Sequence, residues 1–216
     1  RRYVDTHTHT GSVAWPLFNA LQAFWPGMQL VAGDVDAAVG TLRAFHSLWR
    51  HLGYHAEGYN LATMQVQQGQ EGYPLRPEHA ESLFYAHRAL GGDEWLEAGE
   101  EVLVALEGLR VDCGVAGLES VVTGKRADVM ESFFLGETAK YLYLLFDPDD
   151  AVYTHGKYVF TTEAHVLDFG LAVRNQALVG AEEEARAWAE EEARAWAEFG
   201  EHDEGGDDED EADDED

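Results

Sequence analysis

The chain has 216 residues, 45% of them hydrophobic and six of them Trp, enough apolar side chains for a real core, and it carries a formal net charge of −28. That balance excludes a nucleic-acid binder, whose footprint is a clustered Lys/Arg stripe, and no apolar run approaches the ~18 residues of a membrane span. The single cysteine, Cys113, excludes an internal disulfide and leaves a thiol that a redox partner could use.

The charge is unevenly placed. Ala181 to Asp216 holds 19 acidic residues against two Arg, a net of −17, so residues 1–180 are only moderately acidic at −11. In chain order, the opening stretch Tyr3-Val-Asp-Thr-His-Thr-His-Thr-Gly11 offers a His-x-His pair of the kind that begins barrel-type metallohydrolases. Such a barrel takes ~250 residues of alternating strands and helices, and no such alternation follows. His7 and His9 are therefore expected in a Thr-rich loop. Trp15 to Phe24 reads as a helix broken by Pro26-Gly27. From Asp34 to Leu52, Val35, Val39, Leu42, Phe45, Trp49 and Leu52 recur at steps of three and four, behind Asp34 as N-cap. Pro77 to Leu90 reads as a helix with Pro in its first turn and Gly91-Gly92 beyond its end, and Asp93 to Leu109 as the next. A fourth runs from Asp128 to Phe146 and stops at Asp147-Pro148. Tyr158 to Thr161 alone reads as a strand. The expectation is an all-α architecture of helical hairpins over residues 1–180. After it come an exposed helix over 181–200, built on the twice-repeated octad Ala-Glu-Glu-Glu-Ala-Arg-Ala-Trp, and a disordered acidic tail over 201–216.

Three stretches carry candidate chemistry. In Tyr73-Pro-Leu-Arg-Pro-Glu-His-Ala-Glu-Ser82, Glu78 and Glu81 share one helix face. The helix N-terminus favours the ionised form of Glu78, beside Arg76, as suits a base that activates water; the bland alternative is ordinary helix-dipole chemistry. In Met130-Glu-Ser-Phe-Phe-Leu-Gly-Glu-Thr138, Phe133 and Glu137 lie four apart, a ring to cover the C–H face of a sugar and an acid for its hydroxyls. By itself an aromatic at this spacing is ordinarily core. In Phe160-Thr-Thr-Glu-Ala-His165, oxygens crowd together as a hard cation such as calcium requires, or as any capped turn would.

Taken in order, "YPLRPEHAES", "RADVMESFFLGETAKYLYLLFDPDD" and "YVFTTEAH" closely resemble the glycoside hydrolase family 47 α-mannosidases. The stretch "ALQAFWPGMQLVAGDVDAA" points to their endoplasmic reticulum (ER) degradation-enhancing branch. The resemblance spans about Ala14 to His165. It implies an (α/α)7 toroid with Ca2+ at the floor of its pocket, and inverting removal of α-1,2-linked mannose from high-mannose N-glycans on misfolded glycoproteins in the ER lumen. Residue by residue, it makes Glu78 the base and Arg76 a sugar contact, and it places Phe133 under the terminal mannose. Thr162 becomes the calcium ligand, while Glu81, Glu137 and Glu163 hold calcium-bound waters or sugar hydroxyls. Glu57, in "AEGYN", matches a pocket glutamate, with Ala56 where the family has proline.

Two departures qualify the match. Asn19, in "LFNALQAF", stands where the family has Asp; its amide hydrogen-bonds but takes no proton. The glutamate usually assigned as general acid belongs to an N-terminal half that this stretch does not include. The chain, which starts at Arg1, shows no signal-peptide pattern and ends in Asp-Asp-Glu-Asp rather than a retention tetrapeptide, is therefore expected to be the C-terminal half of a mannosidase-like protein. The rival reading is a mannose-binding, lectin-like module without turnover; a third is a purely structural fragment.

Overall fold

The computed structural model describes residues 3–147, 149, 158–168, 186–188, 190–191 and 194. These fall into two units: Arg1–Gly156 with Phe160–Leu167, and Lys157–Val159 with Asp168–Asp216. In the second unit, residues 186–188, 190–191 and 194 are helical and exposed, Trp188 by 67%, in keeping with a charged helix that has only a thin apolar stripe. The expected boundary at 180 and the acidic run over 201–216 lie outside the described residues.

The first unit is built on helices. α1 is Trp25–Val31, α2 Val35–Leu52, α3 Glu78–Leu90, α4 Asp93–Glu107 and α5 Ala139–Phe146. Helix α3 is the central one, packed against each of the other four. Leu83 and Phe84 in its middle are wholly buried, within a core shared with Leu42 and Trp49 of α2, Val102 and Leu106 of α4, and Leu145 of α5. The periodicity in the sequence places α2 and α3 to within a residue. Asp34 sits at the N-cap of α2 but makes no side-chain capping bond, and the helix is closed instead by Gly53. That glycine adopts φ +81°, where its N–H reaches the carbonyl of Trp49 at 2.7 Å.

Two expected helices are corrected. Trp15 to Phe24 is not helical from its start: β2 (Val13–Trp15), paired with β1 (Asp5–Thr6), and β3 (Leu17–Asn19) lead into a 3-10 turn over Ala20–Phe24. Pro26-Gly27 opens α1 rather than breaking a helix. Proline in a first turn forfeits no intrahelical hydrogen bond. Gly27 lets that turn close onto Phe24 and Ser82; a Cβ there would lie 2.5 Å from the Phe24 ring. The fourth helix likewise starts late, with a π-helical turn over Phe134–Thr138 ahead of α5. Residues 127–129 spend their backbone groups elsewhere: the N–H of Ala127 donates to Gly117, and the N–H of Gly117 donates to Val129. Tertiary pairing overrides the local helical pattern.

The expectation of almost no strand is also corrected. β4 (Gly58–Asn60) and β5 (Gln65–Val66) join β3 in an antiparallel sheet of order β3-β4-β5. β6 (Arg110–Val111) with β7 (Gly114–Val115), and β8 (Leu118–Ser120) with β9 (Lys125–Arg126), form hairpins. β10 (Tyr158–Phe160) and β11 (Val166–Asp168) flank the turn over 161–165. Pieces of two or three residues are too short to show the alternation by which a strand is read from sequence. The architecture is thus helical, with short hairpins as connections. No helix among the described residues is long and apolar enough to cross a membrane.

Candidate active site

The segment leading into α3 sets the geometry. Leu75 is buried with φ +65°, a conformation that costs a branched side chain roughly 1–3 kcal/mol. Its carbonyl accepts a 2.7 Å hydrogen bond from the Thr138 hydroxyl on the π turn, so two of the three candidate stretches are tied together by backbone. The turn directs Arg76 at Glu57. Nε lies 2.5 Å from Oε1 and Nη2 lies 2.8 Å from Oε2, a bidentate pair with both side chains about a quarter exposed. The backbone of Glu57 is pinned on both sides, its N–H donating to Gly72 and its carbonyl accepting from Ala20.

Antiparallel pairing places Asn19 opposite Gly58, hence beside Glu57. Asn19 Oδ1 accepts the N–H of Leu21 at 2.9 Å, and its own N–H donates to Gln22 Oε1, a complete capping box for the 3-10 turn. Asn19 and Glu57, with Gln70, Glu71 and Glu119, line a polar cleft of about 630 Å³. Nothing in the sequence reading pointed to Glu71, whose carboxylate accepts from Ser120 at 2.8 Å.

Glu78 is the first residue of α3, and its Oε2 is buried without a hydrogen-bond partner. The effect of the helix terminus on Glu78 is outweighed. The helix N-terminus and Arg76 do favour the charged form, but burial outweighs them, and Glu137 and Glu57 add repulsion, so its pKa is raised. One turn on, Glu81 is pushed up to about 7 by burial first, with Glu78 and Glu137 adding to the rise. The Tyr141 hydroxyl opposes this by donating a 2.8 Å hydrogen bond to Glu81 Oε1. Tyr141 went unnoticed in the sequence, though a tyrosine on the apolar face of "KYLYLLF" needs a polar partner once buried.

Glu137 lies on the π turn. Its pKa is raised by burial and then by Glu163, against the pull of Lys140 and His165. Phe133 begins that turn half-buried, while Phe134 is the ring that enters the core. The turn over 161–165 closes on itself: Thr161 N–H donates to the His165 carbonyl, His165 N–H donates to Thr161 Oγ1, and Ala164 is buried at φ +55°. Lys140 Nζ donates to the Ala164 carbonyl at 2.5 Å, fixing the turn to α5. Thr162 and Glu163 are exposed at its apex.

The structure thus gathers Glu57, Arg76, Glu78, Glu81 and Glu137 around the start of α3, with Asn19 along the cleft and Glu163 felt electrostatically from the 161–165 turn. Among the described residues no three His, Cys, Asp or Glu side chains are placed to hold a metal ion directly. His7 and His9 are exposed in the loop between β1 and β2. Cys113 is exposed in the turn between β6 and β7.

Helices joined by hairpins, with acids crowded about one arginine, form a scaffold whose class is given by the match to known families. Residues 2–169 match the model of Glycosyl hydrolase family 47, and the chain belongs to that family. Among its relatives, "Alpha-mannosidase I MNS4" of Arabidopsis thaliana is 46% identical over 171 residues, covering 76% of this chain and 27% of that protein. "ER degradation-enhancing alpha-mannosidase-like protein 2" of Homo sapiens is 37% identical over 185 residues, 77% of this chain and 32% of that one. The solved alpha-1,2-mannosidase from Trichoderma reesei superposes with a TM-score of 0.66 at 26% identity, over 74% of this chain and 41% of its own. The chain therefore spans between about a fifth and a third of the length of the curated relatives it matches.

Proposed function

We propose that this chain is the C-terminal part of a calcium-dependent, inverting α-1,2-mannosidase with an (α/α)7 toroid, acting on high-mannose N-glycans of misfolded glycoproteins in the ER lumen. The relatives named for α-mannosidase activity and for enhancing ER degradation support the substrate and the compartment. The observation that carries the reading is the group of acids at the head of α3. Burial raises all three pKa values; Glu137 adds to the rise at both Glu78 and Glu81, and Glu78 to that at Glu81, in a half-buried site bounded by the Arg76–Glu57 pair.

Raised first by burial, Glu78 is more basic than an ordinary carboxylate, as suits a group that takes a proton from water. An inverting site needs that base ~6.5–9.5 Å from an acid, with the water between them, and the acid is assigned to chain outside this one. Arg76, held in orientation by its bidentate pair with Glu57, keeps its remaining N–H groups for sugar hydroxyls, and half-buried Phe133 offers a face for the C–H side of the ring. An all-oxygen set of Thr162, through hydroxyl and carbonyl, with Glu81, Glu137 and Glu163 around bound waters fits a hard cation. Calcium there would supply a positive charge that offsets the mutual repulsion of these carboxylates. Residues 1–180 form the mannosidase part in this reading, 181–200 an exposed helix and 201–216 an acidic tail, with Cys113 available to a redox partner.

The lectin-like reading keeps one specific support: Asn19 is neutral and its amide oxygen is occupied as a helix cap. The test is thermal unfolding of the 216-residue chain with calcium, with chelator, and with calcium plus the mannose mimic 1-deoxymannojirimycin. Stabilisation at both steps is expected, and hydrolysis of high-mannose glycan then separates enzyme from lectin. No shift with either ligand refutes an assembled site in this chain.

A further inference from the structure

Three histidines that the sequence reading passed over meet beneath the head of α3. His46 on α2, His55 in the loop after it and His79 on α3 are all buried, at 7%, 3% and 3% exposure. His46 Nδ1 and His79 Nε2 are 3.1 Å apart with rings stacked at 17°, and the His55 and His79 ring centroids are 4.7 Å apart. Trp49 closes the cluster, stacked on His79 at 5.4 Å and edge-on to His55 at 5.3 Å.

The hydrogen bonds dictate the protonation state. His46 Nε2 lies 3.2 Å from the Glu101 carboxylate, off the hydrogen-bond axis but close enough for that charge to hold a proton there. His46 Nδ1 is then a lone pair, which accepts the Nε2–H of His79. This leaves His79 Nδ1 as a lone pair with no partner in the interior. His55 Nε2–H donates to the Phe45 carbonyl at 2.8 Å. The arrangement is complete with three neutral rings. A further proton must go onto His79 or His55, between aromatic walls and against the other rings.

We propose that His46, His55 and His79 form a proton-sensitive latch that fastens the first turn of α3, which carries Glu78 and Glu81, to α2, and releases it on acidification. The charged and titratable neighbours of the cluster give it a direction. From α4, Glu101 and more weakly Glu94 favour charging His46, whereas Arg50 on its own helix opposes it. Tyr54 bonds to Ala105 and Tyr73 lies buried without a partner, so neither supplies an anion to the inner pair. Glu78 at the head of α3 is itself raised by burial and so a weak counter-charge. Burial accordingly depresses His79 and takes His55 down to about 4, each further lowered by the neighbouring rings. Histidines depressed when folded leave the closed form fully favoured above their unfolded value of ~6.5. Below it, each shifts the opening equilibrium about tenfold per pH unit.

The test is amide hydrogen exchange along α3 in the full chain between pH 7 and 4.5, expressed as protection factors, together with ring nitrogen shifts of His55 and His79. Protection at the head of α3, measured against a variant without the His79 imidazole, is expected to fall progressively below pH 6.5, with both rings staying neutral while the helix is closed. His79→Phe keeps the stack on Trp49 without a titrating ring and should lose about one tenfold step per pH unit of that dependence. The difference between the two proteins cancels the opposite slope contributed by Glu78 and Glu81. The same pH dependence in both proteins, or a His79 ring that titrates while α3 stays protected, overturns the proposal. If His79→Phe does not fold, the ring shifts decide: a His79 ring in the unaltered chain that takes up a proton while α3 stays protected overturns the proposal.

Discussion

Replacing Tyr141 by Phe removes one oxygen from a side chain that is 1% exposed, and with it the 2.8 Å hydrogen bond to Glu81. The ring stays, so no cavity opens and the loss is that of the hydrogen bond alone. Its size depends on the charge of the acceptor: a neutral bond is worth about 1 kcal/mol, and one to an ionised carboxylate about 1.5–3 kcal/mol. Glu81 is pushed up to about 7 in the folded protein, against an unfolded value of ~4.3. A carboxyl raised by folding contributes stability that is complete below the unfolded value and is lost as pH rises towards the folded one. Because the tyrosine hydrogen bond works against that rise, removing it carries the folded value higher still, and the loss continues above pH 7. Urea unfolding of both proteins at pH 5 and pH 8, in chelator, should therefore give a destabilisation of about 1 kcal/mol at pH 5, growing to about 2–3 kcal/mol at pH 8. A difference that is the same at both values, or larger at pH 5, would refute the coupling between Tyr141 and the ionisation of Glu81.

Phe84→Ala removes a wholly buried ring from the centre of α3 and should cost about 3–5 kcal/mol of unfolding free energy; equilibrium denaturation showing less than about 1 kcal/mol would mean that the helix is not central to the core. Glu78→Gln replaces a buried carboxylate whose Oε2 has no partner. A Tm at pH 7.5 no lower than that of the unaltered chain is expected, with hydrolysis abolished in a full-length protein carrying the change. A large drop in Tm would mean that the charge of Glu78 is structurally paired.

What could be read from sequence divides along physical lines. Helices α2, α3 and α4 were legible because each keeps a 3.6-residue apolar period over at least three turns, long enough for the pattern to outweigh local accidents. Glu78, Arg76, Glu81 and Glu137 could be named because they stand at fixed offsets within single segments. The hairpins were hidden by their length, and the late start of α5 was hidden because residues 127–129 hydrogen-bond to Gly117, a partner that no local signal announces. Burial decided the rest. It reverses the charge preference that the α3 terminus alone would set on Glu78, supplies Tyr141 as partner to Glu81, and seats His79 against His46 and His55 from segments up to 33 residues away in the chain. Periodicity and motif are properties of neighbours in sequence, so the chain by itself determined its helices and the identity of its candidate acids. Desolvation and long-range pairing are properties of neighbours in space, so only the tertiary structure determined which way Glu78, Glu81 and Glu137 shift and what holds them in place.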